Sequence, residues 1–380
     1  MAPVVRLGGS FRRRVCRASV AYLFAALAVL GPVPSARATS PAILDAAPGC
    51  GPPLDAASPL DCDPPQLAAY AGWLAWSHAA ADGSFQLMLR SPAGVLSPAP
   101  VPSRSAPFDV QLGPSSRGVL AVYSRCSNPL SDLGCSLYEL AVGAPGATER
   151  PLRPPGGGSL HEPAIWNERL VFLRRSSSGG SENPLHRMGR EPDRMFTWRL
   201  GSATAQPVAL PRSRGTREWP RGITGVVTGL TIHGNWVAYV TSSGFASASV
   251  ELGLRTLWVQ LLGQGPRLID QVTAGEGNVC DPALLSPALS RTDVYAFIHP
   301  CDPSGRNFDR WTRYALASRS AEAARYAFTS SGEDQIYDVL PNGEGAVWEG
   351  TQLLSVPAVS WRRVPRPVPV SFCSRSDLFC

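Results

Sequence analysis

Apolar residues along this chain come in short runs separated by polar turns, and one kind of run recurs six times. Its copies are Gly72-Trp73-Leu74-Ala75-Trp76, Gly118-Val119-Leu120-Ala121-Val122-Tyr123, Arg169-Leu170-Val171-Phe172, Asn235-Trp236-Val237-Ala238-Tyr239, Asp293-Val294-Tyr295-Ala296-Phe297 and Gly345-Ala346-Val347-Trp348, about 45 to 65 residues apart. The first five are each followed, after a polar turn, by a second run: Phe85 to Leu89, Leu137 to Leu140, Phe196 to Leu200, Leu257 to Leu262 and Trp311 to Leu316. A sixth lies around Leu353 to Trp361. Most second runs alternate between apolar and polar positions, the period of a half-buried strand.

The chain has 37 prolines and 36 glycines and shows no amphipathic helical stretch, so an all-β fold is expected. Units of this length with about four strands each are the signature of a β-propeller. Six four-stranded blades, with seven as the alternative, fit the chain that follows residue 38. The expected organisation is an N-terminal export signal at 1–38, an extended arm rich in Pro, Ala, Asp and Gly at 39–68, the propeller at 69–372 and a C-terminal tail closed by a disulfide at 373–380.

The pair formed by Trp236-Val237-Ala238-Tyr239 and Leu257-Trp258-Val259-Gln260-Leu261-Leu262 resembles the blades of exported TolB-like six-bladed propellers, over roughly residues 70–369. The resemblance is one of fold. It implies that the first run of each pair is the inner strand of a blade, and that the protein acts as a scaffold or binding surface. Fold alone does not assign function.

The first 38 residues carry Arg6, Arg12, Arg13, Arg14 and Arg17 without an acid, an apolar core from Ala18 to Leu30, and Ala36-Arg37-Ala38 as a small-x-small cleavage site. Thirteen residues span about 20 Å as a helix, short of a hydrocarbon core of roughly 30 Å. A cleaved signal is therefore expected, with Thr39 as the new N-terminus and an extracellular or extracytoplasmic destination. The signal holds six of the 35 basic residues and none of the 29 acids, so the formal charge of +6 falls to zero on its removal. A balanced chain excludes nucleic acid as a partner on charge grounds, because that binding needs surplus cations to displace counterions. No later segment is long and apolar enough for a membrane span, and the expected state is a monomer.

Removing Cys16 with the signal leaves eight cysteines as near neighbours: Cys50 and Cys62, Cys126 and Cys135, Cys280 and Cys301, Cys373 and Cys380. An even number in close pairs, on an exported chain, is expected to form four local disulfides. None of the pairs is C-x₂-C and no two of His78, His161, His186, His233 and His299 have ligand-like spacing, so neither a metal nor another cofactor is expected. Asp302, Asn307 and Asp309 surround a glycine but do not follow the alternate-oxygen spacing of a calcium loop, and are expected to form a polar hairpin tip.

No G-x-S-x-G motif occurs in the sequence, which argues against a hydrolase elbow. Asp109, Glu162, Asp281 and Glu333 lie near predicted blade beginnings, where two carboxylates at the axial funnel would serve a glycan-active hydrolase or lyase. Trp73, Trp76, Trp166, Trp198, Trp236, Trp258, Trp311 and Trp348 fall mostly inside the repeated runs and are expected to be core. Between residues 187 and 221, Arg187, Arg190, Arg194, Arg199, Arg212, Arg214, Arg217 and Arg221 outnumber Glu191, Asp193 and Glu218. Planar donor forks in that number suit a carboxylate-rich polymer. Taken together, the sequence points to a non-enzymatic binding or scaffold module of the cell envelope or extracellular space, whose partner is an unknown protein or an envelope glycan. The hydrolase or lyase is the alternative.

Overall fold

The computed structural model describes residues 42–45 and 67–364, except 128–132, 176–192, 212–225, 248–249, 274–282, 285–286, 300–309, 319, 325–334, 340–344, 350–351 and 357–361. All described residues belong to the compact unit Ser40–Cys380. They form strands throughout. The first strand, β1 (Ala42–Asp45), precedes five groups in chain order. These are β2 (Ala68–Tyr70), β3 (Trp73–Ala79), β4 (Phe85–Arg90) and β5 (Leu96–Pro98); β6 (Gln111–Ser115), β7 (Gly118–Arg125), β8 (Ser136–Ala141) and β9 (Arg150–Leu152); β10 (Ser159–Trp166), β11 (Arg169–Arg175), β12 (Arg194–Arg199) and β13 (Ala205–Val208); β14 (Val226–His233), β15 (Trp236–Ser247), β16 (Val250–Leu261) and β17 (Arg267–Thr273); and β18 (Ala283–Leu284), β19 (Ala288–Leu289), β20 (Asp293–His299), β21 (Arg310–Ala315) and β22 (Ala321–Ala324). The remaining strands are β23 (Gln335–Val339), β24 (Gly345–Glu349), β25 (Gln352–Val356) and β26 (Arg362–Val364).

These strands pair antiparallel into sheets that are meanders in chain order, the architecture of a β-propeller with four-stranded blades. Five sheets have four strands, and this corrects the expectation of six such blades. The sheet of β18 to β22 departs from the plan: β18 and β19 both pair with β20, and β26 adds to the outer edge of β22. An unpaired edge is a template for another strand, and the C-terminal segment takes it. The last sheet, β23 to β25, receives its fourth strand from the other end of the chain: Ala42 and Ile43 of β1 stand opposite Ser355 and Leu354 of β25. This strand lies inside the segment expected to be an extended arm.

All six repeated runs are strands, but each is second in its sheet, not innermost. The innermost position belongs to the strands before them, β2, β6, β10 and β14, which lie against one another around the axis. The sequence motif marks the second strand because that strand is buried on both faces, between its own neighbours and the next sheet. Leu120, Ala121, Val122 and Tyr123 of β7 are all fully buried. The half-buried alternation expected of the next strand is seen in β4, where Phe85, Leu87 and Leu89 are buried and the residues between them are not. Apolar clusters fill the spaces between adjacent sheets, as where Ala75 and Leu87 of one sheet meet Val110, Leu112 and Tyr123 of the next.

Candidate functional site

Three innermost strands end in an aromatic ring. Tyr70 closes β2, Trp166 closes β10 and His233 closes β14, each followed by a two-residue turn that sends the chain back as the second strand. The turns use left-handed backbone: Ala71 and Gly72 have φ of 50° and 82°, Asn167 and Glu168 have 45° and 57°. Two-residue loops of this conformation match the twist of paired strands. Because the three strands converge, their rings meet. Tyr70 and Trp166 are edge to face at 5.4 Å, and Trp166 and His233 lie 3.7 Å apart at 40°.

Beside this cluster lies a cavity of about 300 Å³. Tyr70, Trp73, Trp166 and His233 contribute ring surface, Leu74, Leu112, Ile232 and Leu289 aliphatic surface, and Arg90, Gln111, Thr231 and Ser290 polar groups. Among the described residues no acid is in the lining. Burial, reinforced by the positive charge of Arg291, holds the His233 pKa below its ordinary value, so the imidazole is neutral at pH 7. Trp73 is held in place by Gly143 of the neighbouring sheet, whose missing side chain leaves room for the indole. A concave, mostly apolar space with a few convergent polar groups is what a small-molecule site requires.

Of the expected carboxylates, Glu162 lies on β10 and Asp109 just before β6, both away from the cavity lining. His161 and Trp166 are five residues apart, roughly 15 Å along a strand. At the His161 end, Asp109 accepts the backbone N–H of Ser124 at 2.7 Å and of Glu162 at 3.1 Å, and the Arg104 guanidinium lies 3.4 Å away. Glu162 stands in a bulge of β10 with φ 49°. Asp109 and Glu162 are thus brought together, but by the backbone of Glu162, and both oxygens of Asp109 are engaged in tying blades. Asp193, buried, accepts two hydrogen bonds from Arg175 at 3.0 and 2.9 Å and lies 3.4 Å from His161. Its burial opposes ionisation, yet His161 and Arg175 overcome this and hold its pKa well below the carboxylate range. His78 is likewise structural, donating from Nδ1 to Asp45 at 2.9 Å.

Of the tryptophans expected in the core, Trp76, Trp198 and Trp311 are buried there, whereas Trp73 and Trp166 face the cavity. Cys126 and Cys135 form a disulfide. Arg194 is exposed on β12. Arg187, Arg190, Arg212, Arg214, Arg217 and Arg221 lie outside the described residues, as do Cys50, Cys62, Cys280, Cys301, Cys373, Cys380, His186, Asp281, Asp302, Asn307, Asp309 and Glu333. Among the described residues no group of three His, Cys, Asp or Glu is placed to hold a metal, and no helix is long and apolar enough to cross a membrane.

The cavity was missed because its innermost strands break the repeated pattern: β2 has only three residues, and β10 and β14 are each interrupted by a bulge. A usable signal was present nonetheless. In Tyr70-Ala71-Gly72-Trp73 and His233-Gly234-Asn235-Trp236, two aromatic residues flank a two-residue turn, the hairpin pattern that places both at one rim.

Fold and site together define a β-propeller with an aromatic-walled axial cavity. No protein-family model matches the chain, and no curated protein is similar to it in sequence. Solved structures similar to it include a puromycin hydrolase mutant (16% identity, TM-score 0.42, covering 76% of this chain and 44% of that one). Another is the six-bladed fungal lectin of Aleuria aurantia, with a fucose recognition mode (11%, TM-score 0.41, 80% and 96%). A third is the GH43 endo-arabinanase of Bacillus licheniformis (9%, TM-score 0.32, 66% and 92%). The chain spans less than half the length of the puromycin hydrolase.

Proposed function

We propose that this protein is an exported, non-enzymatic propeller that binds a small ligand in its axial cavity, with the six-stranded sheet serving as a sixth blade. The repeated strand motif supports grouping it with TolB-like exported propellers. One observation carries the binding reading: four aromatic side chains and a guanidinium, with no acid among the described residues, line one space where the innermost strands converge. Catalysis by paired carboxylates has less support, because Asp109 and Asp193 spend their oxygens on neighbouring strands.

The test is a calorimetric screen of the secreted, purified chain against neutral and acidic glycan fragments and small ring compounds, repeated with Trp166→Ala. Binding by the natural chain, with at least a tenfold loss in the folded variant, is the expected result. Binding that ignores Trp166, or turnover of a bound glycan, overturns the reading. Mass spectrometry of the same material is expected to place its N-terminus at Thr39, and a retained leader would overturn export by cleavage.

A further inference from the structure

Among the described residues lining the cavity, one side chain carries a permanent charge, the guanidinium of Arg90, and the others are neutral. Arg90, at the end of β4, is half-buried in the wall, and among the described residues its guanidinium has no acid to pair with. Tyr70, Trp73, Gln111 and Trp166 line the same space, and none of these side chains has a hydrogen-bond partner among the described residues. His233 is held neutral and adds a ring face. A ligand that complemented this lining would bring one negative charge for Arg90 and a flat apolar surface for the rings. The volume of about 300 Å³ limits it to a small molecule.

Resting on the cavity-binding reading above, we infer that the ligand is a small ring compound bearing a carboxylate, which Arg90 grips with its planar fork while Trp166 and Tyr70 cover the ring. An acidic sugar and an aromatic acid share this chemistry, and the experiment separates them.

Calorimetry with galacturonate and benzoate, each beside its neutral counterpart, galactose and benzamide, would use the natural chain, Arg90→Gln and Arg90→Lys. At least one acid is expected to bind tenfold or more tightly than its neutral counterpart, and the acid that does so identifies the source. Arg90→Gln should remove that preference, weakening the acid at least tenfold more than its neutral counterpart; Arg90→Lys should keep part of it, since a point charge lacks the fork. If Arg90→Gln does not fold, the salt dependence of the natural chain decides: acid binding must weaken with added sodium chloride and neutral binding must not. Equal affinity for acid and neutral compound would overturn the carboxylate inference and leave cavity binding standing. Binding of none of the four overturns the inference, and Trp166-dependent binding of another compound in the wider screen would still uphold the cavity reading.

Discussion

Gly113 shows how closely the innermost strands approach. It lies in β6, and a side chain there would strike the carbonyl oxygen of Ile165 in β10. Backbone cannot yield as a flexible side chain does, so Gly113→Ala should cost about 2 kcal/mol or more, read as a lower urea midpoint with unchanged slope. Asp193 sets the acid limit of stability. Its pKa is depressed in the folded chain, so its contribution is complete above the unfolded value, near 4, and is lost as pH falls below that. Asp193→Asn should cost about 3 kcal/mol at pH 7, because it leaves Arg175 half-paired. The same variant should flatten the fall in stability below pH 4, measured by denaturant titration across pH. Neither residue was legible beforehand. The sequence marks Gly113 as one glycine of 36 and Asp193 as one acid of 29, and only the approach of another strand gives each its role.

At the scale of elements, the second and third strands of the blades were legible in the sequence, since continuous burial and alternation leave distinct patterns. The outermost were not. Leu96–Pro98 and Arg150–Leu152 are three residues long and largely exposed, and so carry almost no apolar signal. The loop from β7 to β8 is tied by Cys126 and Cys135, nine residues apart. A loop of that size contributes about 2–3 kcal/mol in the chain-entropy model. Replacing both cysteines by serine should lower stability by that amount and leave ligand affinity unchanged, because the disulfide lies in the loop of the second sheet and not in the cavity lining. A change in affinity would show that the loop reaches the site.

In the whole molecule, β1 joins the two ends of the chain. It completes the sheet of β23 to β25, and its Asp45 accepts the buried indole N–H of Trp76 at 2.6 Å and His78 at 2.9 Å, both in the first sheet. The same four residues therefore hold the last sheet to the first. Deleting residues 39–46 removes strand pairing, the burial of Leu44 and the acceptor for Trp76 together. The melting temperature should fall by on the order of 10 °C, and the calorimetric transition should broaden as the sheets lose their common boundary. A truncated chain that melted like the full one would show that closure contributes little. The sequence by itself determined the all-β class, the repeat and the positions of the twelve strands at blade centres, because local burial imposes a period on the residues of one strand. It also contained the near-neighbour cysteine pairs. Tertiary structure decided which strand is innermost, that residues 42–45 belong to the last blade, and that Tyr70, Trp166 and His233 share one cavity. Those facts depend on residues far apart in the chain, such as Ala42 and Ser355, meeting around an axis, and no local pattern records such a meeting.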